Sequence, residues 1–413
     1  MNSVRNHGSL QQRADYTHRF NSKTGRHGWL RLTPAYSVKI VEEIIEKHPA
    51  ARRVLDPFCG TGTTALSAAY HGHEGVTTDI NPFLVWLANA KTVHFSQEDI
   101  SRTRIASERT LDLARRRAIE PLPAPPIYNI ERWWNPEALD FLQFLKAAIL
   151  TATDDGSLQR TLLLVAFCRT LIKLSNAAFN HQSMSFKVDN QLKFEFGVDT
   201  IGSFSDDVKF VLQGATENPI GFGYALLGDS RNLAPTVNGV FDLVVTSPPY
   251  ANRMSYIREL RPYMYWLGFL TNGRDAGELD WTAVGGTWGV ATSRLTEWQP
   301  PTEHFSSEHL SQVLAEISRV DNKNGTLLAN YIAKYFFDMW IHFQNLTLVL
   351  TPGAEVHYIV GNSTFYGTLV STELLFKQML IALGFNSVEC RPIRKRNSKK
   401  ELIEFDVTAK WQP

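Results

Sequence analysis

The stretch Val54–Ala65, VLDPFCGTGTTA, places a short apolar segment directly before a turn that contains two glycines. Val54 and Leu55 predict a buried strand, and the residues after Gly62 predict a helix. Glycines let the backbone approach a ligand closely, and the first turn of a helix offers unpaired N–H groups. The stretch therefore predicts a strand, a ligand-binding turn and a helix.

The same order of elements follows immediately downstream. The sequence HEGVTTDINPFLVWLANAK, residues 73–91, predicts a second strand, an acidic turn and a second helix. Alternating strands and helices are typical of a parallel sheet with helices on its faces. We therefore predict a Rossmann-like α/β fold with a mostly parallel sheet.

The glycine turn also fits a dinucleotide-binding pattern. Gly60 to Ala65 matches Gly-x-Gly-x-x-Ala, and Asp79 follows Gly60 by 19 residues, where dinucleotide folds carry the acid that binds ribose. A nicotinamide- or flavin-dependent oxidoreductase is therefore an alternative. Against it, Asp56 at the mouth of the turn would repel a pyrophosphate, whereas a cofactor with a cationic amino acid head would tolerate this carboxylate.

A second segment, FDLVVTSPPYANR at residues 241–253, ends another apolar strand in Thr-Ser-Pro-Pro-Tyr. Proline lacks a backbone N–H and restricts φ, so the turn is rigid and its carbonyl groups have no ladder partner. Ser247 adds a hydrogen-bond acceptor, and Tyr250 adds a flat aromatic face. Rigid acceptors beside a stacking ring suit a planar group with an NH₂ substituent, such as a nucleobase.

Together, DPFCGTGTT and TSPPY resemble the two signature motifs of the S-adenosylmethionine-dependent amino-group DNA methyltransferases. The Ser-Pro-Pro-Tyr form resembles the N4-cytosine branch, whereas adenine-N6 enzymes more often carry Asp or Asn at the first position. The segments TTDINP, LLGDSRNL and LTPGAEVHYIVGNS are also similar to the family. The resemblance implies a Rossmann-like class I methyltransferase fold, here with a helical insertion and a C-terminal β-hairpin.

This resemblance implies a catalytic role for each residue of the motif Ser247, Pro248, Pro249 and Tyr250. The Ser247 hydroxyl and the Pro248 carbonyl would accept hydrogen bonds from the exocyclic amino group, whose lone pair is delocalised into the ring. The target base of a duplex must first be flipped into the pocket. Tyr250 would then stack on it.

The resemblance also implies which residues bind S-adenosylmethionine. The glycine turn would line the methionine end, with Asp56 on the ammonium group, Asp79 on the ribose hydroxyls and Ile80 against the adenine. Asp229 would contact the adenine amino group, with Ser230 close by. The predicted cofactor set is Asp56, Pro57, Phe58, Gly60, Thr61, Gly62, Thr63, Asp79, Ile80, Asn81, Asp229 and Ser230.

Double-stranded DNA is the predicted partner. The 42 Lys and Arg residues nearly balance the 41 Asp and Glu residues, so DNA must be held by local basic patches. Candidate phosphate-contacting residues follow the catalytic motif or lie near the C-terminus: Arg253, Arg258, Arg261, Arg394 and Arg396. By analogy with the family, we predict sequence-specific N4-cytosine methylation that protects DNA from a companion restriction endonuclease.

The chain divides into five predicted segments. Residues 1–94 hold the N-terminal segment and the cofactor-binding half, and residues 95–222 form a helical insertion. Residues 223–270 carry the catalytic strand, 271–325 are a variable region, and 326–413 complete the methyltransferase domain. Residues 95–222 and 271–325 are rival regions for target recognition, and residues 271–305 are predicted to be irregular.

Other function classes are disfavoured or remain alternatives. Three scattered cysteines and the absence of His/Cys ligand spacing predict no metal, and no apolar run predicts a membrane span. A polar N-terminus completes the expectation of a soluble, cytoplasmic protein. An adenine-N6 DNA methyltransferase, an RNA amino methyltransferase and a non-catalytic DNA-binding module remain alternatives beside the oxidoreductase.

Overall fold

A seven-stranded sheet organises the protein. The computed structural model describes residues 10–22, 24–30, 36–178, 185–186, 200–320, 324–396 and 402–413. The strands of the sheet are β1 Arg53–Asp56, β2 Glu74–Asp79, β3 Phe222–Leu227, β4 Phe241–Thr246, β5 Leu350–Gly361, β6 Asn386–Lys395 and β7 Ile403–Lys410.

The strand order across the sheet is β6-β7-β5-β4-β1-β2-β3. Neighbouring strands from β5 to β3 pair in parallel, whereas β7 runs antiparallel to both β5 and β6. This mixed, mostly parallel sheet is consistent with a Rossmann-like methyltransferase fold. The prediction of an α/β fold with a mostly parallel sheet is confirmed.

The connections reverse direction between β1 and β4, which pair through Val54–Leu243 and Leu55–Val244. From β1 the chain builds outward through β2 to β3, and then returns to place β4 on the other side of β1. Open α/β sheets bind ligands at such a switch point, outside the carboxyl ends of the strands. The ends of β1 and β4 are therefore the expected position of a site.

Helices cover the sheet and form a separate cluster beside it. Their bounds are α1 Val38–Glu46, α2 Thr63–Tyr70, α3 Pro82–Thr92, α4 Gln97–Arg116, α5 Pro136–Ala152, α6 Leu158–Lys173, α7 Thr200–Ala215, α8 Tyr256–Leu267, α9 Gly273–Thr282, α10 Val290–Glu297, α11 Glu308–Val320, α12 Asn324–Thr347 and α13 Thr372–Ala382. Apolar residues of α1 pack on one face of the sheet, and those of α12 and α13 pack on the other.

The helices between β2 and β3 share one hydrophobic core with α8, the helix that follows the catalytic motif. Trp134 and Leu142 of this region pack in the same cluster as Met264 and Trp266 of α8. Trp134 and Trp266 meet edge to face, with ring centroids 5.7 Å apart. The helical segment thus packs directly against α8.

Two local predictions have different outcomes. The expectation that residues 271–305 are irregular is wrong, because α9 and α10 lie within this range. Asn272 begins α9 by accepting a hydrogen bond from the Asp275 backbone N–H, an N-cap that composition alone did not reveal. The last two strands pair antiparallel, but residues 397–401 between them lie outside the described residues, so the turn of the predicted hairpin stays a prediction.

Across the described ranges, the structure contains no helix that is long and apolar enough to cross a membrane.

Candidate functional site

The ends of β1 and β4 are joined by a buried carboxylate. Asp56, the last residue of β1, is completely buried and accepts hydrogen bonds from the Thr246 hydroxyl at 2.5 Å and the Phe58 N–H at 3.0 Å. The Tyr36 hydroxyl donates to its other oxygen at 3.2 Å. Burial raises the pKa of Asp56 above its ordinary value. From the sequence we predict this carboxylate at the mouth of the turn. In the structure it lies beneath the turn and links the ends of β1 and β4.

The glycine turn is held against the end of β2. The Cys59 N–H donates to the Thr78 carbonyl at 2.8 Å, and the Gly60 N–H donates to Asp79 Oδ2 at 3.3 Å. Gly62 has a φ of 75°, and a Cβ at this position would lie 2.7 Å from the Cβ of Ala88 in α3. Only glycine combines this backbone conformation with such close packing. The glycine turn is therefore hydrogen-bonded to the end of β2 and packed against α3.

A buried lysine supports the turn from below, and sequence reasoning missed it. Lys91 of α3 is 0% exposed, and its ammonium donates to the Thr61 carbonyl at 2.9 Å. Burial lowers the pKa of Lys91 to about 7. The only signal in the sequence was a single cation within an otherwise apolar helix. Lys91 thereby restrains the middle of the glycine turn.

Asp79 is a half-buried carboxyl group at the end of β2. Its Oδ1 accepts the Asn81 N–H at 2.9 Å. Burial raises its pKa to about 7, although these backbone hydrogen bonds oppose the shift. Asn81 is itself buried and caps α3 by accepting the Phe83 N–H at 3.0 Å. Asp79 is consequently the polar group of this loop that is partly open to a ligand.

The predicted residues after β3 take part in an ion-pair network. The Arg231 guanidinium donates to Asp229 Oδ2 at 2.7 Å and to Asp338 Oδ1 of α12 at 2.7 Å. Burial alone would raise the pKa of Asp229, but Arg231 holds it below its ordinary value. Ser230 is buried, and its carbonyl lies 2.8 Å from Nδ1 of His342. Asp229 is therefore an ionised, positioned carboxylate on the same edge of the sheet as Asp79.

The Ser-Pro-Pro-Tyr turn leaves the end of β4 in a defined hydrogen-bonding state. The Ser247 hydroxyl donates its proton to the Ile359 carbonyl of β5 at 2.9 Å, which leaves the hydroxyl oxygen able to accept. The Pro249 carbonyl accepts from the Tyr335 hydroxyl at 2.8 Å. Among the described residues, no group donates a hydrogen bond to the Pro248 carbonyl. Two acceptor oxygens, on consecutive residues, are thus left for a ligand.

Further tyrosines hold the segment after the prolines. The Tyr256 hydroxyl lies 3.4 Å from the Tyr250 N–H, and the Tyr331 hydroxyl accepts the Arg253 N–H at 3.0 Å. Arg253 has a φ of 60°, in the left-handed region, and its side chain is exposed. Tyr256 lies six residues after Tyr250, whereas Tyr331 comes from α12, 78 residues after Arg253, so only Tyr331 was beyond reach of the sequence around the motif. They make the turn a preorganised element.

The ring of Tyr250 is enclosed by groups from the last strands. The guanidinium carbon of Arg396 lies 4.7 Å from the ring centroid, and a Cβ on Gly361 would lie 2.9 Å from the ring. The Tyr250 hydroxyl donates to the buried Glu404 at 2.8 Å, and Arg394 donates to the same carboxylate at 2.7 Å. Arg396 therefore contacts the Tyr250 ring, and Arg394 contacts the Glu404 carboxylate that accepts from the Tyr250 hydroxyl.

The arginines predicted on α8 are also engaged in internal contacts. Arg258 lies 3.1 Å from Glu259. The Arg261 guanidinium lies between two indole rings, 5.1 Å from that of Trp133 and 5.4 Å from that of Trp288. Burial lowers the pKa of Arg261. Of the five predicted phosphate-contacting arginines, Arg253 is the one with an exposed side chain.

The fold and the site define a Rossmann-like protein with a glycine turn, two acidic positions and a paired acceptor turn at one switch point. The family of D12 class N6 adenine-specific DNA methyltransferases matches residues 38–115. This range contains the glycine turn and Asp79 and ends before the catalytic motif. The match therefore concerns the first half of the site.

Curated relatives align over most of the chain. Type II methyltransferase M.BsoBI of Geobacillus stearothermophilus is 22% identical over 94% of this chain and 84% of its own length. Type II methyltransferase M.MvaI of Kocuria varians is 23% identical over 84% of this chain and 78% of its own length. Type II methyltransferase M.AvaI of Nostoc sp. is 22% identical over 97% of this chain and 87% of its own length. Together with the family match, these similarities support a DNA methyltransferase.

Proposed function

We propose that this chain transfers a methyl group from S-adenosylmethionine to an exocyclic amino group of a base in double-stranded DNA. The observation that carries the proposal is the pair of available acceptors, Ser247 Oγ and the Pro248 carbonyl, at the switch point beside the glycine turn. An amino group has two N–H donors, and two adjacent rigid acceptors match them. Drawing both hydrogens aside weakens conjugation with the ring and makes the nitrogen lone pair available.

The donor set of the glycine turn and its neighbours fits S-adenosylmethionine. Asp79 offers a half-buried carboxylate to the ribose hydroxyls, with Ile80 beside the adenine and Asp229 toward its amino group. Gly60, Thr61 and Gly62 would line the methionine end. Asp56 lies beneath the methionine end and already accepts three hydrogen bonds. We therefore propose that it acts on the cofactor's ammonium group by its negative charge and by anchoring the glycine turn.

The cofactor, when bound, supplies an electrophilic methyl group on a sulfonium. The chain's own residues then hold the amino nitrogen in line with that methyl and exclude water, which is the main catalytic requirement for such a displacement. Methyl transfer would form the N–C bond as the S–C bond breaks, with S-adenosylhomocysteine as the leaving group, and the amino group would release one proton to solvent. The Tyr250 ring would stack on the flipped base. If the base stacks on the ring face that Arg396 now covers, the guanidinium must first move aside.

Two bases are candidates for the reaction. The match to the D12 class family favours adenine N6, because that family is described as N6 adenine-specific. The serine at the first position of the Ser-Pro-Pro-Tyr motif favours cytosine N4 through the family resemblance, and this motif lies outside the matched range. Both bases present an exocyclic amino group to the same acceptor pair, so the proposed chemistry is shared.

We further propose that the enzyme modifies a specific DNA sequence within a restriction-modification system, alongside an endonuclease that cuts the unmodified sequence. The support is the description of several relatives as type II methyltransferases. Arg253 is the proposed phosphate contact nearest the catalytic turn, because its side chain is exposed there. Target recognition falls to the helical segment behind α8 or to residues 271–325.

The base is identified by incubating the purified chain with methyl-labelled S-adenosylmethionine and unmethylated duplex DNA, followed by digestion to nucleosides. We expect the label in only one of two products, N6-methyl-2′-deoxyadenosine or N4-methyl-2′-deoxycytidine. A parallel reaction with RNA tests the RNA alternative. Absence of label with sequence-diverse duplexes, together with binding of a nicotinamide or flavin cofactor, would overturn the proposal in favour of an oxidoreductase.

The pKa of Asp79 predicts a pH-dependent cofactor affinity. Because this pKa is raised from 3.8 to about 7, the folded, ligand-free protein holds a proton that the unfolded chain releases at lower pH. The ionised form of Asp79 is therefore disfavoured in the ligand-free protein. Protonated Asp79 contributes to the free energy of unfolding at low pH, and this contribution is lost as the pH rises from about 4 to 7. Ribose hydroxyls favour the ionised form, so binding should release this proton.

We expect the Kd for S-adenosylmethionine to weaken by up to about tenfold per pH unit below pH 7 and to level off above it. Calorimetric titration between pH 6 and 8 measures this directly. Asp79→Asn should bind more weakly at pH 8 and lose most of the pH dependence. An unchanged pH profile in Asp79→Asn would contradict the assignment of Asp79 to the ribose, since Lys91 also titrates near this pH.

A further inference from the structure

A cluster of two histidines and a glutamate lies where the end of α1 meets β5. His48 follows α1, and Glu355 and His357 are on β5. One ligand atom from each of the three lies within 4.8 Å of the others. The two imidazole rings meet edge to face, with centroids 5.3 Å apart. Residues far apart in the chain thus bring metal-ligand chemistry to one place.

The hydrogen bonds of both histidines determine where their ring protons lie. Nδ1 of His48 is 2.8 Å from the Ile44 carbonyl, and Nδ1 of His357 is 2.9 Å from Asp406 Oδ2 of β7. Carbonyl and carboxylate oxygens only accept, so each Nδ1 carries a proton and donates it. In a neutral imidazole the other nitrogen, Nε2, then presents a lone pair. Both histidines are oriented in the way that second-shell acceptors orient metal ligands.

The groups that face the two Nε2 atoms differ. His48 Nε2 is 2.7 Å from Glu355 Oε2, a distance at which a protonated imidazole pairs with the carboxylate. Burial alone would raise the pKa of Glu355, but hydrogen bonds from Lys410 and His48 lower it to about 2. The Glu355 carboxylate therefore stays ionised. His357 is 6% exposed, and its Nε2 has no hydrogen-bond partner among the described residues. An orphaned buried nitrogen is costly unless a ligand satisfies it.

We propose that His48, Glu355 and His357 bind a divalent transition-metal ion, best matched by Zn²⁺, through two imidazole nitrogens and one carboxylate oxygen. Three such ligands with an open fourth position form a known type of zinc coordination. Zinc bonds of about 2.0–2.2 Å require the three ligand atoms to close around the ion from their present separation. One ion would take the place of the proton between His48 Nε2 and Glu355, and it would satisfy the orphaned Nε2 of His357.

The proposed metal joins three parts of the fold. His48 belongs to the end of α1, His357 belongs to β5, and its partner Asp406 belongs to β7, the antiparallel strand. Ile359, whose carbonyl orients the Ser247 hydroxyl, is two residues beyond His357 on the same strand. The metal would therefore restrain the strand that supports the acceptor turn without contacting substrate.

The test is metal binding by the intact chain after it has been stripped with a chelator. Titration with Zn²⁺ against a chromophoric chelator, and with Co²⁺ by visible absorption, should give one site per chain and a higher Tm. His48→Gln and His357→Gln should each remove the site. Asp406→Asn removes the carboxylate behind His357 and should weaken affinity by about 10–100-fold.

A nearby histidine provides the matched control. His71 has its Nδ1 2.8 Å from the Ser67 carbonyl and its Nε2 3.8 Å from Glu46. Among the described residues, no third metal-ligating side chain joins His71 and Glu46 in a cluster. His71→Gln should leave Zn²⁺ affinity unchanged. Absence of stoichiometric binding by the wild-type chain, or equal affinity in wild type and His357→Gln, would overturn the proposal and leave His48 as a protonated partner of Glu355. None of these measurements depends on methyl transfer, so the proposed function is tested separately.

Discussion

Replacing Ser247 with alanine is expected to lower kcat by about 10²–10³-fold, the cost of removing one preorganised polar contact to a reacting group. The hydroxyl is held by the Ile359 carbonyl at 2.9 Å, so its acceptor direction is set before substrate arrives. Alanine removes one of the two acceptors for the amino group and leaves the Pro248 carbonyl. The Kd for S-adenosylmethionine should change by less than about twofold, because no cofactor position is altered.

Two variants of Tyr250 separate its ring from its hydroxyl. Tyr250→Ala removes the proposed stacking face and should lower methyl transfer about as severely as Ser247→Ala, by weakening capture of the flipped base. Tyr250→Phe keeps the ring and loses the hydroxyl, which donates a hydrogen bond to Glu404, a carboxylate that Arg394 still contacts at 2.7 Å. Its loss of activity should be under about tenfold, the value of roughly one hydrogen bond.

Single-turnover methyl transfer and calorimetric cofactor binding are the measurements for these variants. Full activity in both Ser247→Ala and Tyr250→Ala would refute the catalytic roles of this turn. Loss of cofactor binding together with activity would instead indicate that the turn had been disturbed as a whole. An equal loss of activity in Tyr250→Phe and Tyr250→Ala would assign the role to the hydroxyl.

The second large effect is expected at Gly62. Alanine there must adopt a φ of 75° and place its Cβ 2.7 Å from the Cβ of Ala88. The left-handed conformation costs about 1–2 kcal/mol, and forced overpacking costs about 1–3 kcal/mol more. We therefore expect Gly62→Ala to lower the free energy of unfolding by about 2–5 kcal/mol. Cofactor affinity should fall as well, because relief of the contact moves the turn.

Gly72 is the matched control for this substitution. Its φ is 83°, and a Cβ there would meet nothing within 4 Å, so Gly72→Ala carries the backbone cost alone. Chemical denaturation of both variants, with and without S-adenosylmethionine, separates the contact with Ala88 from the backbone strain. Equal destabilisation of the two variants, or undiminished cofactor affinity in Gly62→Ala, would show that close packing of the turn on α3 is unimportant.

Local chemistry explains how much of this site the sequence could predict. The glycine turn, the acid at position 79 and the strand that ends in Ser-Pro-Pro-Tyr are each encoded within about a dozen neighbouring residues. Glycine and proline determine backbone conformation by themselves, and apolar runs mark buried strands wherever they occur. The α/β class, the identity of the two turns and their likeness to one family therefore followed from sequence alone.

Only the tertiary structure decided how these pieces meet. Thr246 reaches Asp56 across 190 residues of sequence, Ser247 reaches Ile359 across 112, and Tyr335 reaches Pro249 across 86. The strand order brings these partners together, and that order is a property of the packed sheet. The buried position of Asp56, the cover of Arg396 over Tyr250 and the pairing of His357 with Asp406 depend on it in the same way. Side chains acquire such partners only when the whole chain has packed, because burial and contact arise between segments that share no local pattern.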